Sequence, residues 1–394
     1  MTDVYWSWAR ASAVPNRSSR IPALAAAIWP SPHQTRTKMP LPTQLRHIIE
    51  DELSALDRRT LARAVEELSN SYRNLRGDTS CPVSLISNDV QRAAYLLTRV
   101  PATYAAIHAV LREVKERTPD LEVRSLLDLG AGPGTAMWAA AEIFTELERV
   151  TLIEQSSSFI RLGQKLAASA RSVAIQTARW VEADLKHETQ LPAHDLVIIS
   201  YALGEMPSAS RSQLVHGAWQ AAAKVIAVIE PGTPRGFQVI LQARSQVLAQ
   251  GAHMVAPCPH GRQCPMDNQS QRNTAEDDCA TRDTKPKQDW CHFAQRLERT
   301  SLHRRLKSGE LGYEDEKFSY VAAAKQASAP AAARVIRHPI QLKGHIKLEL
   351  CTPEGLKHET VSRSQGEAFK KARKVKWGEA WEAGPNEPPN ASEC

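Results

Sequence analysis

No stretch of this chain is apolar for long enough to cross a membrane. Its longest apolar runs, such as VIAVIE at 225–230, fall far short of the ~18–20 residues a membrane helix needs and predict buried strands instead. A soluble protein with no membrane partner is the expectation. Cysteine is scarce and odd in number, with seven at positions 81, 258, 264, 279, 291, 351 and 394. With no secretory signal, that argues against a disulfide framework and leaves metal binding or core packing as the uses of these thiols; no disulfide partner is expected. No two cysteines form the C-x2-C pair of a zinc ribbon. Acidic residues are almost missing from 1–38, where Asp3 stands alone against Arg10, Arg17, Arg20, Arg36 and Lys38. This composition resembles a transit peptide. The plainer reading is a disordered extension, with Met39 of MPLPTQLRHIIEDEL as a natural start, because no clear amphipathic helix is visible before it. The expected location is the cytoplasm for a bacterial chain, and the mitochondrial matrix if residues 1–38 are a transit peptide.

What is present is ordinary globular composition: 394 residues, 42% hydrophobic and 24% charged, a length for about two or three domains. The net charge of +7 leans toward nucleic acid or an acidic surface as partner, a lean shared by many basic proteins that bind neither. Between 41 and 118 apolar residues recur at the helical period, as in Leu45, Ile48, Ile49, Leu53 and Leu56. Pro101 is expected to split the second helical stretch, because proline removes a backbone donor and clashes with the preceding turn. From 124 the pattern changes to short apolar strands alternating with helices: RSLLDL, RVTLIEQS, TARWVEADL, HDLVIISYAL and KVIAVIEPGTP. That alternation predicts an α/β fold with a doubly wound parallel sheet over roughly 122–250.

The first strand runs into DLGAGPGT, with Asp128, Gly130, Gly132 and Gly134. Glycines let the loop turn tightly and let a cofactor approach the backbone, while the next helix offers its amino end. A G-x-G-x-G alone is a weak signal. Here the second strand ends in another acid, Glu154, where a carboxylate can accept from ribose hydroxyls, and Asp184 ends the third. This register of acids and glycines resembles the class I S-adenosylmethionine-dependent methyltransferases, and the six residues are the expected cofactor contacts. After the fourth strand the chain reads ISYALGEMP. It has no Asn/Asp-Pro-Pro-aromatic turn and no cysteine to attack a pyrimidine, so no catalytic residue is assigned. Methyl transfer can proceed largely by positioning, and enzyme and non-enzyme readings both stay open.

The stretch APCPHGRQCPM, 256–266, carries Cys258 and Cys264, each followed by proline. Cys291 in DWCHF and Cys351 in LELCTPEG, at the end of a predicted strand, are the fitting partners. Cys279 lies in the polar stretch 267–288, where a ligand would be poorly anchored; Cys81 and Cys394 fall in the helical part and at the terminus. Four thiolates suit either tetrahedral zinc or an iron–sulfur cluster, and His260 or His292 would replace one thiolate in a zinc site.

Taken in order, DLGAGPGT, APCPH with its following CP, DWCHF, GYEDEKFSYV and LCTPEG resemble the methyltransferase-like family that includes a mitochondrial small-ribosomal-subunit assembly factor and its bacterial relatives. The likeness spans roughly 41–380, and the stretch at 267–288 lengthens the gap before Cys291. It implies S-adenosylmethionine binding, a [4Fe–4S] cluster on Cys258, Cys264, Cys291 and Cys351, and association with small-subunit ribosomal RNA during assembly, with or without rRNA methylation.

Two basic clusters would serve that partner: Arg296, Arg299, Arg304, Arg305 and Lys307, and then Lys370, Lys371, Arg373, Lys374 and Lys376 ending on Trp377. Cations neutralise phosphates and an aromatic ring stacks on an unpaired base. The expected division is an extension over 1–40, a helical domain over 41–120, and a methyltransferase-like domain over 121–250. A cysteine module follows over 251–355, holding the polar insertion 267–288 and a late hairpin that completes the sheet. A basic helix and disordered tail fill 356–394. The rival functions are an active methyltransferase on a non-ribosomal substrate and a non-catalytic RNA-binding assembly module.

Overall fold

The structure is a computed structural model that describes residues 39–54, 56–74, 86, 88–187, 190–267, 289–299 and 312–382. The expected extension over 1–38, the insertion at 268–288, the tail beyond 382 and the cysteines at 81, 279 and 394 lie outside the described residues. No helix among the described residues is long and apolar enough to cross a membrane.

Five parallel strands form the centre: β1 (Ser125–Leu129), β2 (Arg149–Glu154), β3 (Arg179–Glu182), β4 (His194–Ser200) and β5 (Ala222–Pro231). Three more complete an eight-stranded sheet: β6 (His253–Ala256), β7 (Phe293–Glu298) and β8 (Tyr313–Ala324). The order is β3-β2-β1-β4-β5-β8-β6, with β7 also on β8 and β8 antiparallel to all its partners. A mixed sheet with its order reversed beside β1 and one late antiparallel strand next to β5 is the class I methyltransferase arrangement.

Strand residues alternate between two cores, because successive side chains leave opposite faces of a pleated strand. Leu126, Ile198, Ala227 and Ile229 face one core, and Leu127, Leu129, Val197 and Val228 face the other. Both faces are covered, which is why the strands read as continuous apolar runs. On the first face lie α1 (Thr43–Ser54), α2 (Arg58–Asn74), α3 (Asp89–Arg117), α4 (Thr135–Ile143), α5 (Ser157–Ala168) and the one-turn α6 (Val173–Gln176). On the second lie α7 (Ser208–Ala221) and α8 (Pro234–Ala249).

Two expectations are corrected. Pro101 does not split its helix: α3 runs unbroken from Asp89 to Arg117 with the proline inside it. The residues on either side, from Leu96 to Leu111, are almost all buried, and that packing offsets the roughly 3 kcal/mol a mid-helix proline costs. The late hairpin does not complete the main sheet either. It belongs to a separate five-stranded sheet made of β9 (Ala333–Val335), β10 (Ile340–Leu342), β11 (His345–Thr352), β12 (Gly355–Ser362) and β13 (Ala380–Trp381). The turn at Lys343–Gly344 does join β10 to β11, with Gly344 at φ +85°. This sheet has its own small core of Val335, Leu348, Leu350 and Trp381, closed by α9 (Gly366–Ala372). The strands that complete the main sheet are β6, β7 and β8.

Strand β6 pairs with β8 at Ala322–Ala324 and β7 pairs with it at Tyr313–Phe318, on the side away from β5. Between them Ser319, Tyr320 and Val321 have no strand neighbour on that side among the described residues. The chain leaves β6 at Ala256 and re-enters β7 at Phe293, so Cys258, Cys264 and Cys291 all fall in this interruption.

One side chain joins the two sheets to the helices. Arg334 on β9 is 1% exposed. Its Nε donates to Pro257 O at 2.9 Å, Nη1 to Gly378 O at 3.0 Å, and Nη2 to Glu113 Oε1 on α3 at 2.6 Å. Removing one partner of a buried pair strands the other, at a cost of about 3–5 kcal/mol. Arg334→Ala is predicted to lower the unfolding free energy by about that amount, read from the midpoint of urea unfolding; a change under about 1 kcal/mol would show that the clamp is not needed.

Candidate functional site

The carboxyl ends of β1, β2, β4 and β5 meet at one edge of the main sheet, where α/β folds place ligands. Gly130 opens the loop after β1 at φ +75°, and a Cβ there would lie 2.7 Å from Ala202 Cβ. Only glycine gives both that backbone angle and that approach. Gly132, at φ +54°, is more open: the nearest atom to a Cβ there is Tyr95 Oη of α3, at 3.8 Å. Gly134, at φ +81°, is the N-cap of α4.

The structure brings Asp128 and Glu154 to this loop. Asp128 is fully buried, and neither carboxylate oxygen has a hydrogen-bond partner. Burial pushes its carboxyl up to about 8, helped by the negative charge of Glu154. A buried acceptor pair without a donor is rare in a finished interior and fits a bound group that brings its own N–H donors. Glu154 is engaged: Oε2 accepts from Gly132 N at 2.8 Å and Oε1 from Ser156 N at 2.9 Å. It thereby fixes the loop shape, and burial raises its own pKa. Asp184 lies two residues beyond β3, not at its end. Its Oδ1 accepts from Lys186 N at 3.0 Å and its Oδ2 stands 3.5 Å from His187 Nδ1, so it caps its own turn.

Other side chains share this edge. Tyr201, just after β4, is the one described non-glycine residue with positive φ, at 57°. Its phenol donates to Glu316 Oε1 on β8 at 3.0 Å, and burial with Glu316 holds its pKa well above the ordinary value. Arg99 of α3 stands over its ring, 5.7 Å from the centroid. Glu230, the last residue but one of β5, is buried and accepts from Leu203 N at 2.9 Å; burial pushes it up to about 7. Glu205 lies in the short 3-10 turn Leu203–Glu205 beside it. Glu230 had a signal in the sequence, since it follows the apolar run of its strand as Glu154 follows that of β2. Tyr95, Arg99 and Glu316 had none: they come from a remote helix and from a motif read as packing.

The second site collects Cys258, Cys264, Cys291 and Cys351, all half-buried free thiols, around one cavity of about 30 Å³. That exceeds the ~10–15 Å³ needed for a single water. Each thiol is held by a separate anchor. Arg334 holds Pro257 O. Arg244 of α8 donates to His260 O at 2.8 Å and Arg262 O at 2.7 Å, fixing the 258–264 loop. Cys291 O accepts from Ser319 Oγ at 2.8 Å, and Trp290 Nε1 donates to Gly232 O at 3.0 Å. Cys351 sits on β11, its Sγ 3.9 Å from His260 Nε2. Burial and then the neighbouring thiols push Cys264 up to about 11 and Cys351 up to about 12, and raise Cys291 well above its usual value. A cation is what would make thiolates of them. Among the described residues no three His, Cys, Asp or Glu side chains form a group that could hold a metal ion, so as placed the thiols do not close on a single ion. His292, the other ligand considered for zinc, instead stacks on Trp290 and meets Trp377 edge-on.

The two described members of the first basic cluster are engaged within the protein. Arg296 makes a bidentate pair with Asp315, both contacts at 2.9 Å, and Arg299 pairs with Glu314 at 3.0 Å. Arg304, Arg305 and Lys307 lie outside the described residues. Lys370, Lys371, Arg373 and Lys374 are exposed on and just after α9, with Lys376 and Trp377 half-buried beyond them.

With both sites in view, the comparison with known proteins is decisive. Residues 89–382 match the family described as mitochondrial small ribosomal subunit Rsm22. The chain belongs to that family. It is 24% identical over 390 residues to the human ribosome assembly protein METTL17, mitochondrial, covering 93% of this chain and 78% of that protein. It is 21% identical to the ribosome assembly protein RSM22, mitochondrial, of Saccharomyces cerevisiae, over 71% of this chain and 65% of the yeast protein. Against the Rsm22-cox11 tandem protein 2, mitochondrial, of Schizosaccharomyces pombe it is 23% identical over 86% of its length and spans 50% of the tandem protein. Among solved structures, magnesium protoporphyrin IX methyltransferase from Synechocystis PCC 6803 superposes with a TM-score of 0.37 at 13% identity, over 69% of this chain and 99% of that one; the fold assignment rests on the strand order alone.

The buried carboxyl of Asp128 gives this Rsm22-family chain a pH signature. An unfolded aspartate titrates near ~4, whereas the folded one does so at about 8. Between those values the folded chain keeps a proton that the unfolded chain releases, so stability falls as pH rises through that window. Asp128→Asn is predicted to flatten the fall and to melt above the wild type at pH 8, in melting curves recorded from pH 5 to pH 8 without ligand. Equal slopes for the two proteins would mean that Asp128 is ionised in the fold.

Proposed function

We propose that this chain is a small-ribosomal-subunit assembly factor that binds S-adenosylmethionine at the β1–β5 edge, carries a [4Fe–4S] cluster, and contacts small-subunit rRNA. Family membership over residues 89–382 carries the reading, because that span holds the glycine loop and all four cysteines. Asp128, Gly130, Gly132, Gly134 and Glu154 would surround the cofactor, with Asp184 at its far end. Once an ammonium group enters and its own proton leaves, Asp128 offers two acceptors, and Glu154 has a lone pair left on each oxygen for hydroxyls. Bound adenosylmethionine supplies an electrophilic methyl group, and the surrounding protein orders the fold around it. Cys258, Cys264, Cys291 and Cys351 would hold the cluster. In such a cluster each thiolate takes a different iron, which suits thiols that ring a cavity without closing on one ion. The anchors from Arg244, Arg334 and Ser319 keep the 257–264 loop and Cys291 in place whether or not electrons move.

The names of the relatives place those proteins in mitochondria and favour the matrix for this chain over the bacterial cytoplasm, with residues 1–38 as the targeting segment. We keep the division into helical part, methyltransferase-like part and cysteine module with the added hairpin sheet as a functional division. Methyl transfer to rRNA is the second reading; the strained backbone of Tyr201 at the mouth of β4 favours it, since strain of this kind gathers at working sites. Labelled methyl transfer to immature small subunits separates it from a purely architectural role.

Purified without oxygen, the chain is expected to be brown, with about four irons and four sulfides per chain. Cys258→Ser, Cys291→Ser and Cys351→Ser each lose the colour, while Cys279→Ser keeps it. A colourless protein with one zinc would overturn the cluster. RNA contact is expected to be salt-sensitive. Replacing Lys371, Arg373 and Lys374 with alanine should lower the slope of log affinity against log salt by roughly two to three. An unchanged slope would put the rRNA face elsewhere.

A further inference from the structure

A buried carboxylate is costly unless the protein answers it, and Glu230 is 1% exposed. Its answer is the turn after β4. Oε1 accepts from Leu203 N at 2.9 Å. A Cβ added at Gly204 would lie 2.9 Å from Oε2, an approach that the missing side chain of glycine permits. The amides of Gly204 and Leu203 both favour the ionised carboxyl, against the effect of burial.

Other elements hold the same turn by its carbonyls. Arg235 of α8 donates Nη2 to Gly204 O at 3.2 Å, and Arg211 of α7 donates Nη2 to Met206 O at 3.0 Å. Within the turn Glu205 N donates to Ala202 O at 3.2 Å and Met206 N to Leu203 O at 3.1 Å. So β5 grips the amides of this segment, and α7 and α8 grip its carbonyls.

The turn matters because of the residue that opens it. Ala202 Cβ is the atom that a Cβ on Gly130 would meet at 2.7 Å. On the other side of the glycine loop, Gly130 N and Ala131 N both donate to Ile153 O of β2, at 2.9 and 3.1 Å. Strand β1 runs between β2 and β4, so its loop is set between Ile153 and Ala202. Tyr201, just before Ala202, is tied to β5 as well: its N donates to Ile229 O at 2.8 Å.

We propose that Glu230 is a positioning residue for the adenosyl ligand: its carboxylate anchors the 202–206 turn, and Ala202 passes that anchorage to the glycine loop at Gly130. This rests on the adenosylmethionine reading and adds to it a residue that acts through another.

Ionisation decides whether the anchor is whole. A carboxylate accepts on both oxygens, whereas a protonated carboxyl turns one oxygen into a donor. Burial pushes Glu230 up to about 7, helped by the charge of Glu205 and opposed by that of Arg211. Tyr201 also faces it, and Arg235 lies beside Arg211. The anchor is complete above that value and is lost as pH falls through it.

Titration calorimetry of S-adenosylhomocysteine with the full chain, purified without oxygen, tests this at pH 6 and pH 8. Glu230→Gln keeps the shape and replaces one acceptor with a donor. At pH 8 it is expected to weaken binding by roughly 3- to 10-fold, the range for one hydrogen bond. At pH 6 the wild type is itself mostly protonated, and the two proteins are expected to agree within about twofold. The ratio of the two at each pH cancels the contribution of Asp128, which both share. Ala202→Gly removes the methyl group that carries the contact. It should show the same loss at pH 8 and the same recovery at pH 6, which guards against a Glu230→Gln chain that folds poorly. Adding Glu230→Gln to it should cost little more, since changes along one path do not add. A ratio near one at pH 8, or an equal ratio at both pH values, overturns the proposal. Losses that multiply in the double variant take Ala202 off the path and overturn it too. A wild-type chain that binds no S-adenosylhomocysteine at either pH is a separate result, which sinks the adenosyl-cofactor reading and this assignment with it.

Discussion

The guanidinium of Arg334 is the point on which the rest of this structure depends. It is buried, so its charge has to be answered within the protein. The answers come from three places far apart in sequence: Glu113 on α3, Pro257 at the start of the cysteine loop, and Gly378 near the end of the second sheet. Glu113 also faces Arg117, which in turn pairs with Glu382. The helical region, the methyltransferase-like sheet and the added sheet thus meet in one network of charges. Buried networks of this kind are costly when incomplete, and they specify one arrangement because a partly satisfied alternative is worse. Cys258 lies one residue beyond Pro257, so the alignment of the thiol site is set by the same side chain that sets the alignment of the sheets.

Much of this was legible in the sequence where local chemistry decides. The strands of the parallel sheet are buried on both faces, and their runs of apolar residues say so. The glycine loop and the carboxylates of Asp128 and Glu154 were readable because a tight turn needs glycine and because a strand end is where a ligand meets the sheet. The four cysteines were selected by elimination, and the structure brings those four around one cavity. The illegible parts are those decided by distant packing. Pro101 breaks a helix in isolation but not one buried along both flanks. The strand pattern after the cysteines was assigned to one sheet when two are present, since alternation along a strand does not name its neighbours. Arg296 and Arg299 read as a basic surface, and their partners, Asp315 and Glu314, sit on the opposing strand in what looked like a mixed-charge motif.

The carboxyl edge of the sheet shows how charge is managed near a ligand site. Glu154 is satisfied by two backbone amides, Glu230 by Leu203 N, and Glu316 by Tyr201 and Arg99. Asp128 alone has no partner. Its neighbours are hydrogen-bonded within the protein, so that a single unsatisfied pair of oxygens is presented to whatever enters. That is preorganisation in the ordinary sense: the cost of burying the carboxyl is met by the fold in advance, and a ligand carrying donors collects the return.

The interruption in the partner of β8 has a consequence for how the protein behaves outside its folded, loaded state. Where β6 ends and β7 has not begun, the backbone of Ser319–Val321 is a short open sheet edge, and the cysteine loop is what lies across it. Open edges recruit strands from other chains. The thiol loop therefore stands where an edge guard would. A chain whose loop is loose offers its neighbours a strip of backbone without a strand partner in the middle of an apolar sheet, so the packing of this loop bears on whether the protein stays apart from copies of itself.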